Sequence, residues 1–134
     1  MATDTFPDFS GYRIMAVDDV KMNIYLLSKI LEKTKATVIT AIGGQEALDK
    51  TVSESPDIIL LDLRMPVIDG FEVMERLKSD PETASIPIIV ISAYTNQDDV
   101  ERAKATGAAD FVQKPVMMTQ LLESISTQIE KNNK

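Results

Sequence analysis

Two periodicities of apolar residues alternate along this chain. Short runs, aliphatic at 13–17, 58–61 and 88–91, β-branched at 37–41 and briefer around Phe111-Val112 at 110–113, are separated by stretches in which apolar residues return every three or four positions. Runs of the first kind predict strands, and their continuity predicts burial on both faces, as in a parallel sheet. The second kind predicts helices at about 21–33, 45–54, 69–79, 96–106 and 118–131. The first would bury Ile24, Leu27, Ile30 and Leu31, the second Ala47, Leu48 and Val52, and the third Phe71, Met74 and Leu77. The last carries Leu121, Leu122, Ile125 and Ile129, whereas 96–106 is dominated by Asp98, Asp99, Glu101, Arg102 and Lys104.

Breakers fall between these segments. Gly43-Gly44, Ser55-Pro56, Met65-Pro66, Asp80-Pro81 and Lys114-Pro115 interrupt the periodic runs. Asp69 is placed to cap a helix N-terminus and Gly107 to end one. Five strand–helix units in succession require right-handed crossovers, so the expected class is α/β, a doubly wound parallel sheet with helices on both faces. One domain is expected at 12–131, between an N-terminal tail at 1–11 and a short C-terminal tail at 132–134. Phe6, Phe9 and Tyr12 stand out at the N-terminal end. Two readings of them are open: rings that cover an exposed edge of their own domain, or a contact for a partner.

Parallel strands all present their C-terminal ends at one edge, where open α/β sheets bind ligands. Here those ends carry Asp18 and Asp19 (first strand), Asp62 (third), Ser92 (fourth) and Lys114 (fifth). A close carboxylate pair costs about 4 kcal/mol at an effective dielectric of 20. Lys114 offsets part of this, and a hard divalent cation offsets more. The chain has neither Cys nor His, which removes thiolate and imidazole ligands and leaves an all-oxygen ion, Mg²⁺, as the natural candidate. A metal, an ammonium and a hydroxyl around one carboxylate can hold the oxygens of a phosphoryl group. Asp62 would then be a nucleophile that forms an acyl phosphate, with catalysis by positioning and charge neutralisation. Each residue also has a plainer role: a helix cap for Asp18-Asp19, a loop cap for Ser92, a surface lysine for Lys114 and a core ring for Phe111. Met117 and Met118 are assigned no chemistry.

Net charge narrows the partners. A formal charge of −7 and a pI near 4.5 argue against nucleic acid, whose binding relies on clustered Lys and Arg. No apolar run reaches membrane-spanning length and the first residues lack a signal-peptide pattern, so a cytoplasmic protein without membrane insertion is expected.

VDD at 17–19, LLDLRMPVIDG at 60–70, ISA at 91–93 and GAADFVQKP at 107–115, with AIGGQEAL at 41–48, resemble the receiver domain of two-component response regulators. The resemblance covers about residues 12–130. It implies a flavodoxin-like (βα)5 fold with strand order 2-1-3-4-5, Asp62 as phosphoacceptor, and Mg²⁺ held by Asp19, Asp62 and the Arg64 backbone carbonyl. Asp18 would help through a water. Ser92 and Lys114 would bind the phosphoryl group, and Phe111 would turn inward as a switch when Ser92 moves. A cis peptide is implied at Lys114-Pro115. Arg64 and Tyr94 flank the path of hydrolytic water and would tune the lifetime of the acyl phosphate.

Without a His, the chain cannot supply its own phosphohistidine. The resemblance implies a histidine kinase or histidine phosphotransfer protein as donor and a downstream protein target, reached through the face of the fourth helix, fifth strand and fifth helix. Asn23, in the pattern VDDxxxN, points to phosphorelays. Met1 and the tail favour a single-domain member, chemotaxis-regulator-like, over a receiver cut from a larger protein. A monomer or a phosphorylation-dependent dimer is expected, and no enzyme beyond its own phosphorylation and dephosphorylation. Three other readings compete. A haloacid-dehalogenase-type phosphatase would need an acid where Arg64 stands. A flavodoxin-like cofactor binder would need a Gly- and hydroxyl-rich loop where Asp18-Asp19-Val20-Lys21 stands. A degenerate receiver would dock partners without phosphorylation.

Overall fold

The computed structural model describes residues 6–93 and 96–132. Its elements follow in the order β1 (Arg13–Asp18), α1 (Lys21–Glu32), β2 (Thr37–Ile42), α2 (Gly44–Glu54), β3 (Ile58–Asp62), α3 (Gly70–Ser79), β4 (Ile88–Ser92), α4 (Gln97–Thr106), β5 (Asp110–Gln113) and α5 (Met118–Asn132). All four strand pairings are parallel, and the sheet order is β2-β1-β3-β4-β5. The five expected strand–helix units are therefore present, in a flavodoxin-like sheet.

Side chains alternate across each strand, and the two faces gather separate cores. Met15, Val17, Ile59, Leu61, Ile88 and Val90 meet Ala47 of α2, Phe71, Met74 and Leu77 of α3 and Ala103 of α4. Ile14, Ala16, Ile58, Leu60, Ile89 and Ile91 meet Ile24, Leu27 and Leu31 of α1 and Leu121, Leu122 and Ile125 of α5. The central strands β3 and β4 are buried along their whole length. That burial is what the unbroken aliphatic runs record.

The N-terminal rings cover their own domain, but on a face of the sheet rather than at an edge. Phe9 is 3% exposed inside the α1–α5 core, with Phe6 and Tyr12 packed against it. The Phe9 N–H donates to the Thr34 carbonyl at 2.7 Å, and Lys33 lies over the Phe6 ring. Val52 departs from expectation: it is 72% exposed. On α2 the residue one turn beyond Ala47 is Thr51, which is buried and donates its hydroxyl to the Ala47 carbonyl at 2.7 Å. Val52 lies a further 100° around the helix and faces outward.

Helix ends follow local chemistry. Asp69 caps α3 by accepting from the Glu72 N–H, and Asn96 caps α4 by accepting from the Asp99 N–H. Gly107 closes α4 with a positive φ of 123°, a conformation that favours glycine. Lys78 is drawn inward from α3 to donate to the Ala84 and Ile86 carbonyls, and burial lowers its pKa. Among the described residues no helix is long and apolar enough to cross a membrane.

Candidate functional site

The C-terminal ends of β1 and β3 bring Asp18, Asp19 and Asp62 together, each offering a carboxylate oxygen within 4.8 Å of the others. Asp18 is 1% exposed and Asp62 7%, while Asp19 is the most open of the three. Lys114 reaches in from the end of β5, with its ammonium 3.1 Å from Asp18 Oδ2 and 3.6 Å from Asp62 Oδ2. Ser92, fully buried, ends β4 beside them, and its carbonyl accepts from the Lys114 N–H at 2.9 Å. The Lys114–Pro115 peptide is cis, as expected.

Asp18 is the most tightly held of the three acids. Its Oδ1 accepts from the Val20 N–H at 3.0 Å, a short turn that leads into α1. Its Oδ2 accepts from Asn23 Nδ2 and from Lys114 Nζ, both at 3.1 Å. The capping reading of Asp18 does not hold: Val20 is the N-cap of α1 and no side chain caps it, so Asp18 holds the turn before the helix and its other oxygen serves the acidic cluster. Burial pushes the Asp62 carboxyl above its ordinary range. Lys114 pulls it down, Asp18 pushes it up, the Arg64 N–H pulls it down and Asp19 pushes it up. Two carboxylates beside a third, with one ammonium between them, make a site short of positive charge.

The loop after β3 explains the motif that follows Asp62. Leu63 and Met65 are buried at 0% and 7%, so the alternation of the strand runs on past its end and turns the residue between them, Arg64, outward. The Arg64 N–H points at Asp62 Oδ1 at 3.4 Å, and its guanidinium pairs with Asp99 on α4. The chain then reverses through a three-residue turn, with the Ile68 N–H donating to the Pro66 carbonyl at 2.9 Å. Val67 at its centre has φ 69° and is 99% exposed. Gly70 closes the loop against the strand end: a Cβ there would lie 2.4 Å from the Asp62 carbonyl oxygen. Only a residue without a side chain fits.

Phe111 is half-buried. It packs against the α2–α4 core and lines a groove of about 380 Å³ with Val100 and Lys104 of α4. Met117 and Met118 are 63% and 41% exposed. Tyr94 lies outside the described residues. The sequence reading missed two contacts. Asn23 carries a bond to the acidic cluster, and Asp99 holds the Arg64 side chain. The spacing of VDDxxxN could have exposed the first, since Asn23 lies one turn into a helix that begins beside Asp18.

The donors available to a metal are carboxylate oxygens, two of them buried and close enough to share one ion, with no softer ligand nearby. That set fits a small hard cation such as Mg²⁺. A second groove, of about 450 Å³, runs from Asp18 and Lys114 along Asn23, Leu26 and Ile30 of α1.

Residues 14–126 match the family model for the response regulator receiver domain. Response regulator PleD of Caulobacter vibrioides is 42% identical over 104 residues, which make up 78% of this chain and 23% of that protein. The chain thus spans about a quarter of PleD. The polar-differentiation response regulator DivK of Brucella ovis is 32% identical over 85% of this chain and 93% of its own length. Among solved structures, the chemotaxis protein CheY4 of Vibrio cholerae has a TM-score of 0.82 at 29% identity, covering 87% of this chain and 97% of that one. The signal receiver domain of a signal transduction histidine kinase from Syntrophus aciditrophicus has a TM-score of 0.86 at 28% identity, covering 92% and 94%. With its acidic cluster at the sheet's C-terminal edge, this chain belongs to the response regulator receiver domain family.

Proposed function

We propose that Asp62 takes a phosphoryl group from the phosphohistidine of a histidine kinase or histidine phosphotransfer protein, in a Mg²⁺-dependent step, within a phosphorelay. The single observation that carries this is the cluster of Asp18, Asp19 and Asp62 within 4.8 Å with the Lys114 ammonium between Asp18 and Asp62. An Asp62 oxygen forms a bond to phosphorus as the phosphorus–nitrogen bond of the donor breaks, and the imidazole keeps that electron pair. Asp19, Asp62 and the Arg64 carbonyl would hold Mg²⁺, with Asp18 acting through a water. The ion supplies the positive charge that three carboxylates and a phosphoryl group lack. Lys114 pairs with the transferred group, and the Ser92 hydroxyl binds it.

Output runs to a downstream protein through the face of α4, β5 and α5, with Phe111 turning inward as the switch. The half-buried ring beside Val100 and Lys104 supports that role. Arg64 and Tyr94 shield the acyl phosphate from water. Replacing both with small polar residues shortens its lifetime, and an unchanged decay refutes the shielding. The protein works in the cytoplasm, as a monomer or as a dimer formed on phosphorylation.

The test is incubation with acetyl phosphate and Mg²⁺ followed by intact mass, on wild type and Asp62→Asn. One phosphoryl mass on the wild type alone is expected. An adduct on the Asn variant, or none on the wild type in a sample that binds Mg²⁺, overturns the assignment and leaves a docking module that works unmodified.

A further inference from the structure

We propose that Asp99 on α4 and the phosphoryl group on Asp62 compete for one cation, the Arg64 guanidinium, so that loading Asp62 unfastens the first turn of α4. The inference rests on Asp62 being the phosphoacceptor. It makes Asp99 a positioning residue that acts on the site through Arg64.

The geometry joins the two ends. Arg64 is two residues beyond Asp62, and its N–H faces Asp62 Oδ1 while its side chain crosses to Asp99 Oδ2. Asp99 is no loose surface acid: its side chain is 13% exposed. Its carboxylate also accepts from Asn96 Nδ2 at 3.2 Å, and its own N–H makes the capping bond to Asn96 Oδ1 at 2.8 Å. The Arg64–Asp99 pair therefore ties the β3–α3 loop to the turn that begins α4.

Among the described residues, little else fastens that turn beyond the partly buried Val100. Ala103, in the second half of the helix, is the only residue of α4 that is buried. Arg102 lies over the Phe71 ring at 3.9 Å, again beyond the first turn. The first turn itself carries Asp98 and Asp99, which favour the helix N-terminus electrostatically and keep α4 helical. What the ion pair controls is docking.

A phosphoryl group brings about −1.5 to −2 of charge and three strong acceptor oxygens. Arginine binds such a group in a fork of charge-assisted bonds at least as well as a carboxylate. Once the guanidinium swings to it, Asp99 keeps Asn96 as its partner among the described residues and faces a new anion across the site. Conversely, while Asp99 holds Arg64, the side chain is kept from shielding the acyl phosphate. An ion pair of this exposure shifts an equilibrium by a factor of about 1.5 to 5, so the latch biases the position of α4 without locking it.

The test is hydrogen exchange over 97–106 by mass spectrometry on wild type, Asp99→Asn, Arg64→Gln and the double variant, with and without acetyl phosphate and Mg²⁺. Intact mass on the same samples gives the phosphorylated fraction. Asp99→Asn leaves its own N–H and an acceptor oxygen for Asn96 and removes only the charge. In the unphosphorylated proteins both single variants are expected to exchange about 1.5- to 5-fold faster at the first turn, with no further gain in the double variant. Phosphorylation should move the wild type part of the way toward that rate. Asp99→Asn should also slow dephosphorylation by a comparable factor, an effect that vanishes when Arg64 is Gln.

Unchanged exchange in both unphosphorylated single variants overturns the latch, whatever Asp62 does. So does unchanged exchange in a wild type whose mass shows the phosphoryl group, or slowing that persists without Arg64. Faster exchange in the variants with no phosphoryl mass on any protein refutes instead the phosphoacceptor assignment, and the competition with it.

Discussion

Replacing Asp62 by Asn should stabilise the metal-free protein at neutral pH. The carboxylate of Asp62 is 7% exposed and has oxygens of Asp18 and Asp19 within 4.8 Å, so each pair repels by about 3.5 kcal/mol or more at an effective dielectric of 20. The Lys114 ammonium at 3.6 Å returns about 4.6 kcal/mol on the same scale. Asp19 is the open member of the cluster, and water and salt screen its share. The remaining imbalance is about 1 to 2 kcal/mol against a charged Asp62, and burial adds to it with the same sign. Asn keeps the shape and removes the charge, so a gain of about 1 to 2 kcal/mol is expected, or about 3 to 8 °C in Tm for a chain of this size.

The pH dependence has a definite sign. Burial raises the folded-state pKa of Asp62 above its ordinary value of 3.8, so between the two values the folded protein binds the proton that the unfolded chain has lost. The stability this contributes is fully present below about pH 3.8 and disappears as pH rises through the folded-state value. The advantage of Asp62→Asn over wild type should therefore be smallest at acid pH and grow toward neutrality. Urea titrations of both proteins from pH 4 to 8 in EDTA measure it. Mg²⁺ should narrow or reverse the gap at pH 7, because an ion that binds only the folded wild type stabilises it by mass action. A variant no more stable than wild type at pH 7 in EDTA, or a gap that does not change with pH, refutes the electrostatic account.

Three further outcomes follow from the packing. Phe9→Ala should lower stability by about 3 kcal/mol, the usual loss for a buried ring, whereas a ring outside the core would leave a urea midpoint unmoved. Gly70→Ala should destabilise by about 1 to 3 kcal/mol, because its Cβ falls 2.4 Å from the Asp62 carbonyl oxygen; wild-type stability in the same urea assay would show that the loop yields freely. Asn23→Ala should weaken Mg²⁺ binding by about tenfold, as loss of a hydrogen-bond partner in the outer shell of a metal site does. Calorimetric titration measures this, and an unchanged affinity would mean that Val20 and Lys114 suffice to hold Asp18.

The sheet was legible because burial on both faces leaves no room for polar interruption. Ile58 to Leu61 and Ile88 to Ile91 lie in interior strands of the parallel sheet, and their unbroken aliphatic character is what two packed faces require. Strand ends were legible for the same reason, since Asp18, Asp62 and Ser92 each stop an apolar run at the edge where the sheet meets the site. Val52 belongs to the apolar face of α2 by residue type but not by its angle around the helix. Thr51 takes the inward place since its hydroxyl satisfies itself on the Ala47 carbonyl, so a polar residue is buried there at no loss of hydrogen bonding.

The contacts that escaped the sequence share another property. Arg64 and Asp99 are 35 positions apart and belong to segments whose periodicity says nothing about which of several charged neighbours will meet. Asp98, Asp99 and Glu101 are equivalent in composition. Only the start of α4 at Gln97, fixed by the Asn96 cap, turns Asp99 toward the β3–α3 loop. Alternation past the end of β3, with Leu63 and Met65 buried, sets Arg64 on the outer side of that loop. A pairing that depends on where a helix begins and on how far a strand's alternation persists is specified by boundaries, and hydrophobic pattern defines boundaries least sharply. The gathering of Asp18, Asp62 and Lys114 at one edge could therefore be read from residue types at strand ends, while the tie to α4 appears only in the folded chain.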